Sequence, residues 1–242
     1  MSGYVTLPDN GIGRIGSSIV VIFAALIVAS IFATSLTALG VELGLFSADS
    51  TAERVTSTIL QFVGFLLAAV GYLAVTNEWE ILRIDTPSLQ DVGLIASSAV
   101  ALLALQYGLL FVLSQIGLST GQNQATVPTG DPVVYYLALI VVSILVVGPA
   151  EEVLFRGVVQ GGLRRAYSAG PAILIASALF GLVHVFAVLG TLDQQLTYAA
   201  VALMLGVGLG LLYEYTDNIL VPSLAHGLYN AAIYATLLYG VV

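Results

Sequence analysis

The chain has 242 residues, of which 59% are hydrophobic and 8% are charged, and its mean hydropathy is +1.03. A soluble domain carries about 25% charged residues, so this composition excludes a soluble globular protein. The net charge is −8, with six arginines and no lysine, and no nucleic-acid partner is expected. Because cysteine is absent, disulfide frameworks and thiolate metal sites are excluded as well.

Seven stretches meet or approach the roughly 20 apolar residues that a helix needs to cross a bilayer. They are Ile15–Val41, Val55–Asn77, Val92–Leu118, Pro132–Ala150, Pro171–Leu189, Leu196–Tyr213 and Ile219–Val242. An eighth helix could lie within the uncharged run Val92–Gly130, although Gly117–Gly130 is more typical of a polar loop. The sequence therefore predicts an all-α polytopic membrane protein with about seven to eight transmembrane helices in one domain over residues 1–242.

Arginine placement predicts the orientation of these spans, because cytoplasmic loops carry the excess of positive charge. With the N-terminus in the cytoplasm and seven spans, Arg54 alone lies outside. Four arginines then lie inside, namely Arg14, Arg83, Arg164 and Arg165. We predict a cytoplasmic N-terminus and a site that opens toward the cytoplasm. The acidic, lysine-free composition is compatible with a high-salt organism, and a prokaryotic cell membrane is the predicted location.

Two adjacent glutamates, Glu151 and Glu152, directly follow the fourth span. Charge at such depth costs about 2.5–3.5 kcal/mol per residue on insertion scales, so intramembrane charge indicates a function. Glu152 and Arg156 are four residues apart and can pair on one helix face. Glu151 lies about 100° further round the helix and stays free for chemistry. The alternative is a helix end at the membrane interface, from which the arginine reaches water.

Both histidines of the chain, His184 and His226, also lie in apolar segments. His226 and Asn230 are four residues apart, so they share a helix face, and both can donate hydrogen bonds. The alternative for each is a core residue that bonds to a neighbouring helix. Taken together, an acid pair, a base-capable histidine and a donor pair on three helices are the parts that peptide hydrolysis needs.

These three motifs resemble those of the type II CAAX prenyl protease and bacteriocin-processing family, also called ABI or CPBP intramembrane proteases. The matching residues are Pro149-x-Glu151-Glu152-x-x-Phe155-Arg156-Gly157, Phe180-x-x-x-His184 and His226-x-x-x-Asn230. The resemblance places the catalytic core in residues 132–242, whereas the spans of residues 1–131 carry no motif. It implies an intramembrane CAAX-type endopeptidase that cuts near a membrane-associated C-terminus, prenylated or not.

The resemblance also implies a role for each motif residue. The implied catalytic residues are Glu151, His184, His226 and Asn230. The implied supporting residues are Glu152, Arg156 and Phe180. In this scheme Glu151 and His184 activate the attacking water, and His226 and Asn230 form the oxyanion hole. No serine or cysteine nucleophile occurs in the motifs, which favours direct attack by water.

Two questions stay open at this point. Members of the family have often been called metalloproteases, and Glu151, His184 and His226 could ligate Zn²⁺ or another divalent metal. The paired H-E-x-x-H signature is absent, however, so we expect no cofactor. The expected partners are membrane lipid and a membrane-associated peptide or protein substrate. The alternatives are a non-proteolytic binding or immunity protein of the same fold, or a transporter, although the inverted repeats common in transporters are not visible.

Overall fold

The computed structural model describes residues 4–8 and 10–242, and most of this chain is helical. The described part contains seven long helices: α1 (Gly11–Glu42), α2 (Thr51–Thr76), α3 (Leu89–Gln115), α4 (Pro132–Leu163), α5 (Ala169–His184), α6 (Leu192–Thr216) and α7 (Leu220–Tyr239). Two short strands, β1 (Gln122–Asn123) and β2 (Val188–Leu189), form an antiparallel pair.

Each of the seven predicted spans corresponds to one helix, and the all-α fold is confirmed. Of the described helices, α1 to α6 are long and apolar enough to cross a membrane. α7 is not among these six, because it carries His226, Asn230 and several tyrosines. The alternative eighth helix within Val92–Gly130 is wrong, since the chain after α3 continues as a loop that contains β1.

One end of the bundle, hereafter the loop end, is formed by three connections between helices, namely residues 43–50, 116–131 and 185–191. Contacts between these connections hold the end together. The Thr51 hydroxyl at the start of α2 donates a hydrogen bond of 2.8 Å to the Thr129 carbonyl. Gln122 of β1 pairs with Leu189 of β2, which joins the α3–α4 connection to the α5–α6 connection.

The opposite end, hereafter the arginine end, carries four arginines that each form an ion pair with a carboxylate of another segment. The pairs are Arg14–Glu78, Arg83–Asp217, Arg164–Glu214 and Arg165–Glu80. These pairs connect the start of α1, the α2–α3 connection, the α4–α5 connection and the end of α6. The arginines that predict the cytoplasmic side therefore all lie at one end of the bundle.

Cysteine labelling tests the predicted orientation, because the wild-type chain has no cysteine. Ser168 is exposed at the arginine end and Ala48 is exposed at the loop end. We expect an impermeant maleimide to label Ala48→Cys in intact cells, and to label Ser168→Cys only after the membrane is opened. The reverse pattern would contradict the cytoplasmic N-terminus.

α4 carries the glutamate pair and is not a regular helix. Segments with π-helical hydrogen bonding, Ser143–Val147 and Val153–Gln160, flank the short α-helical stretch Gly148–Glu152. Pro149 within that stretch has no N–H to donate to the preceding turn, and π turns occur frequently at functional sites. The helix continues to Leu163, so the alternative of a helix end at the glutamates is wrong.

α4 and α7 approach closely at two glycines. A Cβ atom on Gly148 would lie 2.5 Å from the Ser223 carbonyl oxygen, and one on Gly227 would lie 2.7 Å from the Ile144 Cα. Both distances are too short for any larger residue without movement of the backbone. The absence of side chains at these two positions brings the helices close enough for residues on both to hydrogen-bond.

Candidate active site

A cavity of about 540 Å³ runs into the bundle from the loop end. Its wall contains all four residues that the motifs predict to be catalytic, namely Glu151, His184, His226 and Asn230. Each comes from a position on α4, α5 or α7, so three helices contribute to the site. Phe180 also lines the cavity, whereas Glu152 and Arg156 lie fully buried behind the wall.

The cavity reaches the loop end, where Arg54, residues 120–126 and Phe186 line it. None of the described lining residues comes from the arginine end. The prediction that the site opens toward the Arg164–Arg165 side is therefore wrong. Arginine counts indicate which end of a bundle faces the cytoplasm, but they do not indicate at which end a cavity opens. With the predicted orientation, the site opens to the outside.

The first three helices also contribute to the cavity wall, which was expected from the last four spans alone. Leu26 of α1, Gln61 of α2 and Gln106 of α3 all line it. The Tyr229 hydroxyl, next to Asn230 on α7, donates a hydrogen bond to the Gln106 side-chain oxygen. These polar residues occur singly within apolar spans, and no spacing pattern in the sequence distinguishes them.

Glu152 is the centre of a fully buried polar group. Arg156 Nε donates a hydrogen bond of 3.0 Å to Glu152 Oε2, and neither side chain has any solvent exposure. The other carboxylate oxygen, Oε1, accepts a hydrogen bond of 2.9 Å from His226 Nδ1. The structure thus shows the pair that the i, i+4 spacing suggested, and adds a link to α7 that the sequence did not indicate.

His226 lies between the two glutamates. Since a carboxylate can only accept, the bond to Glu152 places a proton on Nδ1. The second ring nitrogen, Nε2, lies 3.6 Å from Glu151 Oε2, which is too long for a direct hydrogen bond. Glu151 has no other ion pair among the described residues, and its carboxylate borders the cavity. The glutamate predicted to be free for chemistry is therefore beside the imidazole and available to a ligand.

His184 is oriented by its own helix and by an aromatic neighbour. Its Nδ1 donates a hydrogen bond of 2.8 Å to the Phe180 carbonyl, so Nε2 is the ring nitrogen that remains available to a ligand. The ring stacks on Tyr198 of α6, with centroids 6.2 Å apart and planes inclined by 21°. Asn123 of β1 donates a hydrogen bond to the Tyr198 hydroxyl at 2.8 Å, so the loop end contacts this part of the site.

Phe180 packs at the junction of the three motifs. Its ring lies edge-to-face with Phe155, with centroids 5.0 Å apart, and the Arg156 guanidinium lies 5.0 Å from its centroid. The His184 ring centroid is 4.3 Å away and that of His226 is 6.1 Å away. Phe180 therefore touches a residue of every motif, which agrees with a supporting position.

Residues 133–232 match the model of a protein family described as type II CAAX prenyl endopeptidase, Rce1-like. Over residues 133–232, hereafter the Rce1-like segment, the chain is similar to this family. The match includes all three motifs, and it agrees with the resemblance that they indicated. No curated protein and no solved structure matches the chain.

The Rce1-like segment covers α4, α5, α6 and most of α7, but the cavity wall extends beyond it. Cavity-lining residues such as Arg54, Gln61 and Gln106 precede residue 133. The Rce1-like segment therefore supplies the four candidate catalytic residues, whereas α2 and α3 supply wall residues that lie outside the match.

Both histidines present an Nε2 that could bind a metal, because each Nδ1 is held by an oxygen acceptor, as is common for metal-ligating histidines. Within residues 4–8 and 10–242, however, no three histidine, aspartate or glutamate side chains are grouped so as to hold a metal ion. The set Glu151, His184 and His226, which the sequence offers as alternative ligands, is thus not arranged as a ready metal centre.

A smaller cavity of about 320 Å³ lies between α1 and α2. It shares Leu26, Gln61 and Phe65 with the main cavity, so the two adjoin near the closed end. Small residues of α1, among them Ala29 and Ala33, form its other side. The π-helical turn Phe32–Leu36 of α1 includes Ala33. An apolar chain could reach the main cavity along this path.

Proposed function

We propose that the protein is an intramembrane endopeptidase that hydrolyses a peptide bond near the C-terminus of a membrane-associated substrate. The observation that carries this proposal is the common cavity, in which Glu151, His184, His226 and Asn230 line one wall. The match to the Rce1-like family supports a protease, and its name supports a CAAX-type substrate.

In the proposed reaction, Glu151 takes a proton from a water molecule while His184 Nε2 orients that water by accepting its second hydrogen. The hydroxide adds to the scissile carbonyl and forms a tetrahedral intermediate. When the C–N bond breaks, the proton held by Glu151 passes to the leaving nitrogen. The products are a carboxylic acid and an amine, which become a carboxylate and an ammonium by transfer of one proton, and the enzyme returns to its starting state.

The negative oxygen of the intermediate would be stabilised by His226 and Asn230. Asn230 can donate from its amide nitrogen. His226 can donate from Nε2 only as an imidazolium, since its Nδ1 is already bound to Glu152. An imidazolium between Glu151 and Glu152 would have a carboxylate on each side, which balances its charge.

Asn230→Ala tests the oxyanion role. Removal of one preorganised donor typically lowers kcat by about 10²–10³-fold, and we expect that loss with a nearly unchanged KM. His184→Ala should reduce kcat further, because it would also disturb the attacking water. Steady-state kinetics on both variants decide the point. A rise in KM with unchanged kcat in Asn230→Ala would instead indicate a role in substrate binding.

Cleavage of a prenylated peptide tests the substrate class. Purified protein should release the tail of a peptide that ends in a prenylated cysteine followed by three residues, and Glu151→Ala should not. The smaller cavity beside Gln61 is the space that we propose for the prenyl chain. The same peptide without the prenyl group should be cut much more slowly. Equal rates for the two peptides would contradict the use of a prenyl group.

We propose that this reaction needs no metal, because no three-ligand group exists in the described chain and the H-E-x-x-H pattern is absent. On this scheme a chelator leaves activity unchanged. Metal analysis of protein that remains active after chelation is the decisive measurement. A stoichiometric metal whose removal abolishes activity, and whose return restores it, would overturn the metal-free mechanism but not the protease assignment.

A further inference from the structure

Arg54 differs from every other arginine in the chain. The other five each form an ion pair with a carboxylate, and Arg54 forms none with the described residues. Its Nε is buried and has no hydrogen-bond partner there. A guanidinium partly removed from water without a counter-charge is unfavourable. An arginine that lines a cavity without a carboxylate partner therefore points to an anionic ligand, which would supply the missing counter-charge.

The surroundings of Arg54 define the position of that ligand. Arg54 lies near the start of α2, at the loop end of the cavity, and the Tyr135 hydroxyl of α4 lies beside it. The same hydroxyl donates a hydrogen bond of 3.1 Å to the Ala125 carbonyl, which fixes the ring. Arg54 is the only arginine of the described cavity wall, and Glu151 is its only carboxylate.

The length of the cavity limits what could connect these two charges. On α4, Tyr135 and Glu151 are sixteen residues apart, which is about 24 Å of ideal helix, and the π turns shorten this. On α2 the lining residues run from Arg54 to Phe65, a rise of about 16 Å. An extended peptide covers about 3.3 Å per residue, so the interval holds about five to seven residues.

A free C-terminus is the anion that fits a peptide in this cavity. An arginine binds a carboxylate through two parallel N–H donors, which gives both affinity and orientation. The three residues that follow the cysteine of a CAAX sequence extend only about 10 Å, which is too short to reach from Glu151 to Arg54. A longer tail would place its carboxylate at the guanidinium.

We propose that Arg54 forms a subsite for the C-terminal carboxylate of the substrate, about five to seven residues beyond the bond that is cut. The subsite rests on the proposed function, since it assumes that a peptide lies between Arg54 and Glu151. It selects substrates by the length and the free carboxylate of the tail, and a CAAX tail leaves it empty. Arg54 precedes the Rce1-like segment, so the match to that family does not include this subsite.

Peptide binding to the Glu151→Gln variant tests the subsite without relying on turnover. The probes are fluorescent peptides that contain a prenylated cysteine followed by three or six residues, each with a free C-terminal acid or an amide. The protein is held in nanodiscs of zwitterionic lipid. The comparison is between Arg54→Gln and the matched control Arg165→Gln, which removes an exposed arginine at the opposite end.

We expect the six-residue acid to bind about 10- to 100-fold more tightly than its amide, as for one charge-assisted pair. Arg54→Gln should remove this preference, Arg165→Gln should keep it, and the three-residue probes should show no acid preference. Equal binding of the six-residue acid and amide would overturn the subsite. So would an effect of Arg54→Gln that appears only in nanodiscs containing phosphatidylglycerol, because Arg54 would then bind lipid phosphate. Failure of the wild type to cleave any peptide bears on the proposed function alone.

Discussion

Glu151→Gln is expected to lose about 10²–10⁴-fold in kcat while it stays folded, because general-base catalysis contributes a factor of that size. The change keeps the size of the side chain and removes only its ability to take a proton. Glu151 makes no hydrogen bond that holds the described structure together, and its carboxylate lies 3.6 Å from His226 Nε2. The loss should therefore appear in turnover and not in the melting temperature.

A matched control is available on the surface. Glu42 at the end of α1 is exposed, and Glu42→Gln removes the same charge far from the cavity. We expect its kcat and melting temperature to equal those of the wild type. A Glu151→Gln variant with wild-type kcat would exclude Glu151 as the base.

Glu152→Gln and Arg156→Ala should each lose both activity and stability. Removal of one member of a buried ion pair leaves the other charge uncompensated, at a cost of about 3–5 kcal/mol. Glu152 also holds His226, so its loss should misplace the imidazole as well. Thermal unfolding in detergent measures the first effect, and steady-state kinetics on the folded fraction measure the second.

A double variant separates charge pairing from catalytic support. Glu152→Leu combined with Arg156→Met replaces both charges by apolar side chains, and such replacements are often neutral or stabilising. We expect it to melt above either single variant and yet to remain inactive, because His226 loses its acceptor. A double variant that regains activity would show that Glu152 and Arg156 act only through stability.

The helices could be predicted from the sequence because apolar runs of about 20 residues specify membrane spans directly. The main error concerned α4, which was expected to end at Ala150 but continues to Leu163. Glu151, Glu152 and Arg156 interrupt the apolar run, so the span that hydropathy predicts ends before them. In the structure Glu152 and Arg156 pair with each other inside the bundle, and the helix continues past them.

The four candidate catalytic residues could be identified from their spacing, since each motif is local. The bond between His226 and Glu152 could not, because it depends on how closely α4 and α7 approach. Gly148 and Gly227, one on each helix, are the sequence signal that could have suggested this approach. The direction of the opening depends on the loops and on α2, where isolated polar residues carry no periodic signal.

Hydrolysis by purified protein, followed by mass spectrometry, tests the central claim most directly. Wild type and Glu151→Gln, in nanodiscs and at equal folded concentration, are incubated with the same membrane-anchored peptides. We predict two products from the wild type whose masses sum to that of the peptide plus one water, and no products from Glu151→Gln. Product formation at equal rates by both proteins would contradict the assignment of the cavity as a glutamate-dependent hydrolytic site.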